Sequence, residues 1–167
     1  GAPAWIGESI AIIAVLTFLA LAGAYLVKMV RHSDAVRAEF AHPISGNFFG
    51  TVAISLLLLS GVVAPWHAGI GHVVWAVGSV VTLLLGFRVV SLIVRGGLEP
   101  AHFVPAWLIP GVASLDIAVT GAHMPMAWAP ELNLVALAIG STLALVLYAL
   151  ILFRLATQPG LAGGVGP

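Results

Sequence analysis

The sequence predicts an all-α integral membrane protein with five transmembrane helices, and three observations lead to that fold class. First, long apolar runs occur at about 6–30, 47–64, 69–94, 103–122 and 132–153. Each run is close to the length of about 20 helical residues that crosses a hydrocarbon core. Second, only 7% of the residues are charged and the mean hydropathy is +1.15, whereas soluble domains carry about 25% charged residues. Third, the basic residues follow or end alternate runs, so they share one membrane face.

The composition excludes several classes of function. The chain has no cysteine, which rules out disulfides, cysteine-ligated zinc and iron–sulfur clusters. Its formal net charge is zero and its basic residues form no single patch, so we expect no nucleic-acid partner. No catalytic triad, zinc-protease helix or phosphate-binding loop is present, so the sequence does not predict an enzyme.

The first run, 6–30, is followed by a polar loop at 28–43 that contains Lys28, Arg31 and Arg37. Arg95 begins a second basic loop at 95–102, and Arg154 lies near the C-terminal end. Basic loops favour the cytoplasmic side. We therefore predict that these three segments are cytoplasmic and that the protein lies in the inner membrane of a bacterium.

The second run, 47–64, is short and rich in small residues. Asn47, Thr51 and Ser55 are spaced i, i+4, i+8, which places them on one face of a regular helix. Such a stripe can line a polar path through the membrane. It can equally serve hydrogen bonding and close packing between helices.

The fourth run, 103–122, carries Pro105, Pro110, Ser114 and Asp116. Prolines inside a helix remove backbone hydrogen bonds and bend it, so we expect a kinked helix that lies inside the protein or lines water. Pro110 and Ser114 are candidates to line a pore there. An acid inside the membrane is a functional candidate, able to bind a cation or relay a proton. The alternative places Asp116 near the outer interface, hydrogen-bonded to Thr120.

The third and fifth runs, 69–94 and 132–153, are smooth and strongly apolar, which is typical of straight, lipid-facing helices. Two hairpins result, closed by Trp66 and Trp128 at a similar period, and these tryptophans with Trp5 form a predicted outer aromatic belt. Arg88, near the end of the third run, either attracts anions into an inner vestibule or extends its side chain to the membrane surface.

The histidines lie at the ends of the runs rather than in their middles, which does not favour haem or metal ligation. We therefore expect no cofactor. The chain begins Gly-Ala-Pro without an initiator Met and ends in a Gly-rich stretch, with a loop predicted at 156–167. These ends favour a single, partial transmembrane domain over 1–167.

Three segments resemble the tellurite-resistance/C4-dicarboxylate transporter family, which includes the plant slow-type anion channels. They are Val36–Pro43, Phe87–Val90 followed by Gly96-Gly97, and Pro105–Pro110 followed by Thr120-Gly121. Their order and spacing resemble the family across about residues 5–158.

This resemblance implies a ten-helix fold of five hairpins, in which kinked inner helices form the pore and straight outer helices surround it. The chain would hold helices two to six, about half of that fold. The resemblance also implies a homotrimer and places Phe48 at an aromatic position that faces the pore or packs elsewhere.

The predicted function is membrane transport of small anions or C4-dicarboxylates. Two alternatives remain from the sequence. One is a haem-binding redox subunit of the cytochrome b type, and the other is a membrane subunit that transports nothing.

Overall fold

The computed structural model describes residues 3–42, 44–96 and 103–157. Six α-helices cover most of these residues. Their bounds are α1 Ala4–Arg31, α2 Ser33–Ala41, α3 Phe49–Val63, α4 Ala68–Arg95, α5 Leu108–Gly121 and α6 Ala129–Thr157. A 3₁₀ turn precedes each of the two shortest apolar helices, Ser45–Phe48 before α3 and Pro105–Trp107 before α5.

The predicted fold class is confirmed, because most of the described residues are helical and the long helices have the hydropathy of membrane spans. Four helical segments are long and apolar enough to cross a bilayer: α1, α3 with its 3₁₀ turn, α4 and α6. The segment Pro105–Gly121 is apolar but shorter. All five helices coincide with the predicted runs to within four residues at each end.

Two parts of the sequence interpretation change at the polar segments. The stretch after α1 contains a nine-residue helix, α2, where we predicted a loop, and its Val36 is buried. In the loop predicted at 156–167, residues 156 and 157 belong to α6. Residue 43 of the first basic loop, residues 97–102 of the second and residues 158–167 lie outside the described residues.

The prolines of the fourth run lie at the start of its helix rather than in its middle. Pro105 is the first residue of the 3₁₀ turn and Pro110 is the third residue of α5. Proline is tolerated in a first turn, where the backbone N–H groups have no intrahelical partner. The backbone therefore passes from a 3₁₀ turn to an α-helix at this end, and the α-helix continues to Gly121.

Helices α3 and α5 lie at the centre of the bundle. α3 packs against α4 and α5, and α5 packs against α4 and α6. Glycines allow three of these close approaches: Gly50 lies against Pro110, Gly78 against Leu57 and Gly140 against Leu115. Small residues have this role between membrane helices because they let the backbones approach.

Two apolar clusters fill the interior. One surrounds Trp75 with Leu57 and Ile117, and the other surrounds Trp107 with Val89 and Leu147. By contrast, α1 lies at the edge of the bundle, where its apolar side chains are exposed along nearly its whole length. The tryptophans predicted to form an outer belt, Trp5, Trp66 and Trp128, are between 47% and 66% exposed.

Candidate functional site: the faces of the central helices

The start of α3 separates residues that the sequence placed together. Asn47 is only 1% exposed, whereas the neighbouring Phe48 is 53% exposed. The one-face prediction assumed a regular α-helix from Asn47, but this residue lies in a 3₁₀ turn with about three residues per turn. Asn47 therefore belongs to the packed interior, and the exposed surface begins at Phe48.

An exposed surface, which we name the open face of α3, comprises Phe48, Thr51, Val52 and Ser55. Phe48, Thr51 and Val52 are exposed and Ser55 is half-buried. The Thr51 hydroxyl donates to the Phe48 carbonyl at 2.7 Å, and the Ser55 hydroxyl donates to the Thr51 carbonyl at 2.8 Å. Both O–H groups therefore donate to carbonyls of their own helix, and the lone pairs of each hydroxyl oxygen remain available on the exposed side.

The open face of α3 forms one wall of a cleft of about 390 Å³ between α1, α2 and α3. Tyr25 and Glu39 line its opposite side. Lys28 forms an ion pair with Glu39, and the Tyr25 hydroxyl donates to Glu39 Oε2 at 3.3 Å. The hydrogen bond from Lys28 lowers the pKa of Glu39. The cleft thus contains a carboxylate whose charge is matched by a neighbouring ammonium group.

The candidates on α5 are mostly buried. Pro110 is buried against Gly50 of α3, and Ser114 is only 2% exposed. The Ser114 hydroxyl donates to the Gly111 carbonyl at 3.1 Å. In this arrangement Pro110 and Ser114 contribute to helix packing and do not line the cleft beside the open face of α3, and their role in a pore stays a prediction.

Asp116 lies five residues before the end of α5, or about 8 Å along the helix axis. Its side chain is half-buried. The Thr120 hydroxyl donates to the backbone carbonyl of Asp116 at 2.6 Å, so the expected hydrogen bond between Thr120 and the carboxyl group is not formed. Among the described residues, no group donates a hydrogen bond to this carboxylate.

Arg88 connects α4 to α2. Its Nη2 donates to the Phe40 carbonyl, and its guanidinium carbon lies 4.5 Å from the centroid of the Phe40 ring. A Cβ atom on Gly46 would lie 2.8 Å from the same Nη2, so the 3₁₀ turn passes directly beside the guanidinium. Arg88 therefore joins three elements at the basic end of the bundle, and its role in an inner vestibule stays a prediction.

The sequence interpretation missed several residues that hold the central helices. Trp75 is fully buried, stacks on Trp128 at 5.4 Å, and donates from Nε1 to the Ile117 carbonyl at 3.3 Å. His42, which the sequence placed at the interface, accepts from the backbone N–H groups of Ile44 and Ser45 and so caps the turn before α3. The position of His42 three residues before that turn was the only available signal.

Metal ligation was also considered. Within residues 3–42, 44–96 and 103–157, no group of three or more His, Asp or Glu side chains is placed to hold a metal ion.

Comparison with known proteins agrees with the resemblance that the sequence indicated. A family model described as voltage-dependent anion channel (SLAC1) matches residues 2–165. The chain is 30% identical to the S-type anion channel SLAH3 of Arabidopsis thaliana, over 99% of this chain and 26% of that protein.

Microbial proteins match as well. The chain is 23% identical to an uncharacterized transporter of Methanocaldococcus jannaschii, over 92% of this chain and 48% of that protein. It is 25% identical to a tellurite resistance protein TehA homolog of Haemophilus influenzae, over 59% of this chain and 32% of that protein. The chain therefore spans between about a quarter and a half of the length of these relatives.

Proposed function

Because this chain belongs to the voltage-dependent anion channel family, we propose that it forms part of a pore that passes small anions or C4-dicarboxylates. The observation that carries the proposal is the open face of α3. A central helix presents two hydroxyl groups on an exposed surface, while the flanking helices α4 and α6 expose large apolar side chains such as Leu84 and Leu145.

The open face of α3 has the chemistry of a weak anion path. Thr51 and Ser55 carry no charge, and each hydroxyl can rotate from its own helix carbonyl towards a passing anion. Such an exchange replaces one hydrogen bond by another, so the anion binds without being trapped. Conduction requires this balance between entering a site and leaving it.

Asp116 opposes anion passage at the other end of the pathway. A carboxylate repels an approaching anion, by about 1 kcal/mol at 4 Å in water. Because it lies near the outer end of α5, we propose that Asp116 lowers the anion concentration at the outer mouth rather than coordinating the ion.

Single-cysteine labelling tests which surface meets water, and this chain contributes no cysteine of its own. In the complete gene product, with any other cysteines removed, we expect a water-soluble thiol reagent to react with Thr51→Cys much faster than with Leu84→Cys. Both positions are exposed in the structure, but Leu84 lies on α4 and would face lipid. Ser114→Cys, which is buried, is the slow control. Equal labelling of Thr51→Cys and Leu84→Cys would contradict the pore assignment.

Transport is tested separately in liposomes that contain the complete gene product. We expect flux of at least one of chloride, nitrate, malate and tellurite. Silence across all four would support a membrane subunit that transports nothing. A Soret band in the purified protein would support the haem-binding alternative.

Orientation and assembly complete the proposal. Lys28 and Arg31 end α1, Arg95 ends α4, and Arg154 lies in the last turn of α6. These helix ends share one side if successive spans alternate, so we place them, with the loops 28–43 and 95–102, at the cytoplasmic face of a bacterial inner membrane. We also propose a homotrimer, which native mass spectrometry of the complete protein tests directly.

A further inference from the structure

An apolar groove lies between α4 and α6 on the surface of the bundle. Its volume is about 530 Å³, and its walls include Val94 on α4 and Ile139 on α6. Leu143 forms the floor, where it belongs to the buried cluster around Trp107. The groove is therefore backed by packed protein and opens towards the surrounding medium.

The groove lies at a depth that a lipid chain reaches. It contacts α6 from Ala138 to Val146, a length of about 12 Å along the helix. On α4 it ends at Val94, which is 78% exposed and directly precedes Arg95, the last residue of that helix. One end of the groove thus meets the basic end of the bundle, and the rest runs between the apolar spans α4 and α6.

Within the described residues of α4 and α6, the charges towards this end of the groove are of one sign. The basic residues Arg88 and Arg95 of α4 and Arg154 of α6 lie towards the same end of the bundle. The acid on these two helices is Glu131, in the first turn of α6 at the opposite end. This end of the groove therefore has a positive potential, which favours a phosphate group.

Of the three arginines, Arg95 is available to a ligand. Arg88 donates to Phe40, and Arg154 is 94% buried, being 6% exposed. Arg95 is exposed, and among the described residues it has neither an ion pair nor a hydrogen bond. Its guanidinium can form a bidentate pair with a phosphate at the groove mouth.

We propose that the groove between α4 and α6 is a binding site for an anionic phospholipid, with one acyl chain against Ile139 and Leu143 and the phosphate on Arg95. The apolar walls provide a surface for the chain, and the positive charge of Arg95 favours an anionic headgroup over a zwitterionic one. Basic pockets between helix ends on one membrane face have this preference in general.

Lipid binding to the complete, delipidated protein in detergent tests the proposal, with phosphatidylglycerol and phosphatidylcholine as the probes and native mass spectrometry as the measurement. We expect phosphatidylglycerol to bind more tightly. We expect Arg95→Gln to weaken phosphatidylglycerol binding about fivefold, the effect of about one basic residue at a membrane surface, and to leave phosphatidylcholine unchanged. Ala138→Leu, which fills the groove, should weaken binding of both lipids.

A matched control removes the same charge elsewhere. Arg37→Gln on α2 is exposed and distant in sequence from the groove, so it should leave phosphatidylglycerol binding unchanged. Equal binding of the two lipids, or equal losses in Arg37→Gln and Arg95→Gln, would overturn the proposal. So would a disulfide between copies of an Ile139→Cys variant in bilayers, because it would show a second subunit in the groove.

Discussion

The two central helices begin in the same way and end up in different surroundings. Each follows a 3₁₀ turn whose last residue is aromatic, Phe48 before α3 and Trp107 before α5. Phe48 is 53% exposed, whereas Trp107 is fully buried. Small and hydroxyl-bearing residues are common to both helices. This comparison shows that such a composition marks a central helix, while packing decides which of its faces remains open.

The largest expected difference in stability is between substitutions of Trp107 and Phe48. We expect Trp107→Ala to lower the free energy of unfolding by about 3–5 kcal/mol, because it empties the centre of the cluster with Val89 and Leu147. Phe48→Ala should cost less than about 1 kcal/mol, since half of its ring is already exposed. Unfolding by a denaturing detergent measures both. Similar losses would contradict the difference in burial.

A glycine pair on α3 tests the contact between the two central helices. A Cβ atom at Gly50 would lie 3.1 Å from the backbone nitrogen of Pro110, so Gly50→Ala should destabilise by about 1–3 kcal/mol. A Cβ atom added at Gly61 would have no neighbouring atom within 4 Å. Gly61→Ala should therefore be neutral or stabilising by up to about 1 kcal/mol, because alanine favours a helix. Equal stability of the Gly50→Ala and Gly61→Ala variants would contradict the close contact at Gly50.

The third comparison concerns charge: α5 carries the half-buried Asp116, whereas the open face of α3 has no charged residue. If its carboxylate repels anions at the outer mouth, Asp116→Asn should raise anion flux at pH 7 by about fivefold. Thr120→Val is the control, because the Thr120 hydroxyl donates to the backbone carbonyl of Asp116 and not to its carboxylate. Unchanged flux in Asp116→Asn between pH 5 and 8 would leave this residue with a structural role alone.

The smallest effect concerns the ion pair beside the open face of α3. The hydrogen bond from Lys28 lowers the pKa of Glu39, so the folded state holds this carboxylate ionised more readily than the unfolded state does. Its stabilising contribution is present above the ordinary carboxyl pKa of about 4.3 and is lost as the pH falls through the lower, folded value.

The stability difference between wild type and Glu39→Gln should accordingly be small at neutral pH, because the pair is solvent-exposed, and should vanish in acid. Thermal unfolding at pH 7 and pH 3 measures it. A difference that grows towards pH 3 would have the wrong sign for this pair.

Much of the fold could be predicted from the sequence because the bilayer sets the length and hydropathy of each span. The positions of α1, α4 and α6 followed from that requirement alone. The short helix α2 was missed because nine residues with one buried apolar side chain, Val36, give almost no periodic signal. Its structure depends on contacts with neighbouring helices, which the sequence does not display.

The site was less predictable for a related reason. Thr51 and Ser114 are both hydroxyl residues on central helices, and each hydroxyl bonds a carbonyl of its own helix. Residue type and spacing therefore cannot distinguish them. The difference arises from neighbours: α6 packs closely along α5, whereas α1 lies only loosely beside α3. Trp75 was likewise indistinguishable from an interfacial tryptophan until its contacts with Ile117 and Trp128 were known.

Two consecutive residues of α2 hold different neighbours. Glu39 binds Lys28 of α1, while the carbonyl and ring of Phe40 hold Arg88 of α4. Because α2 has only nine residues, these two contacts lie on one short helix that links α1 to α4. Any displacement of α1 relative to α4 would therefore require α2 to tilt or one of these contacts to break, and a tilt of α2 would move the His42-capped turn that follows it.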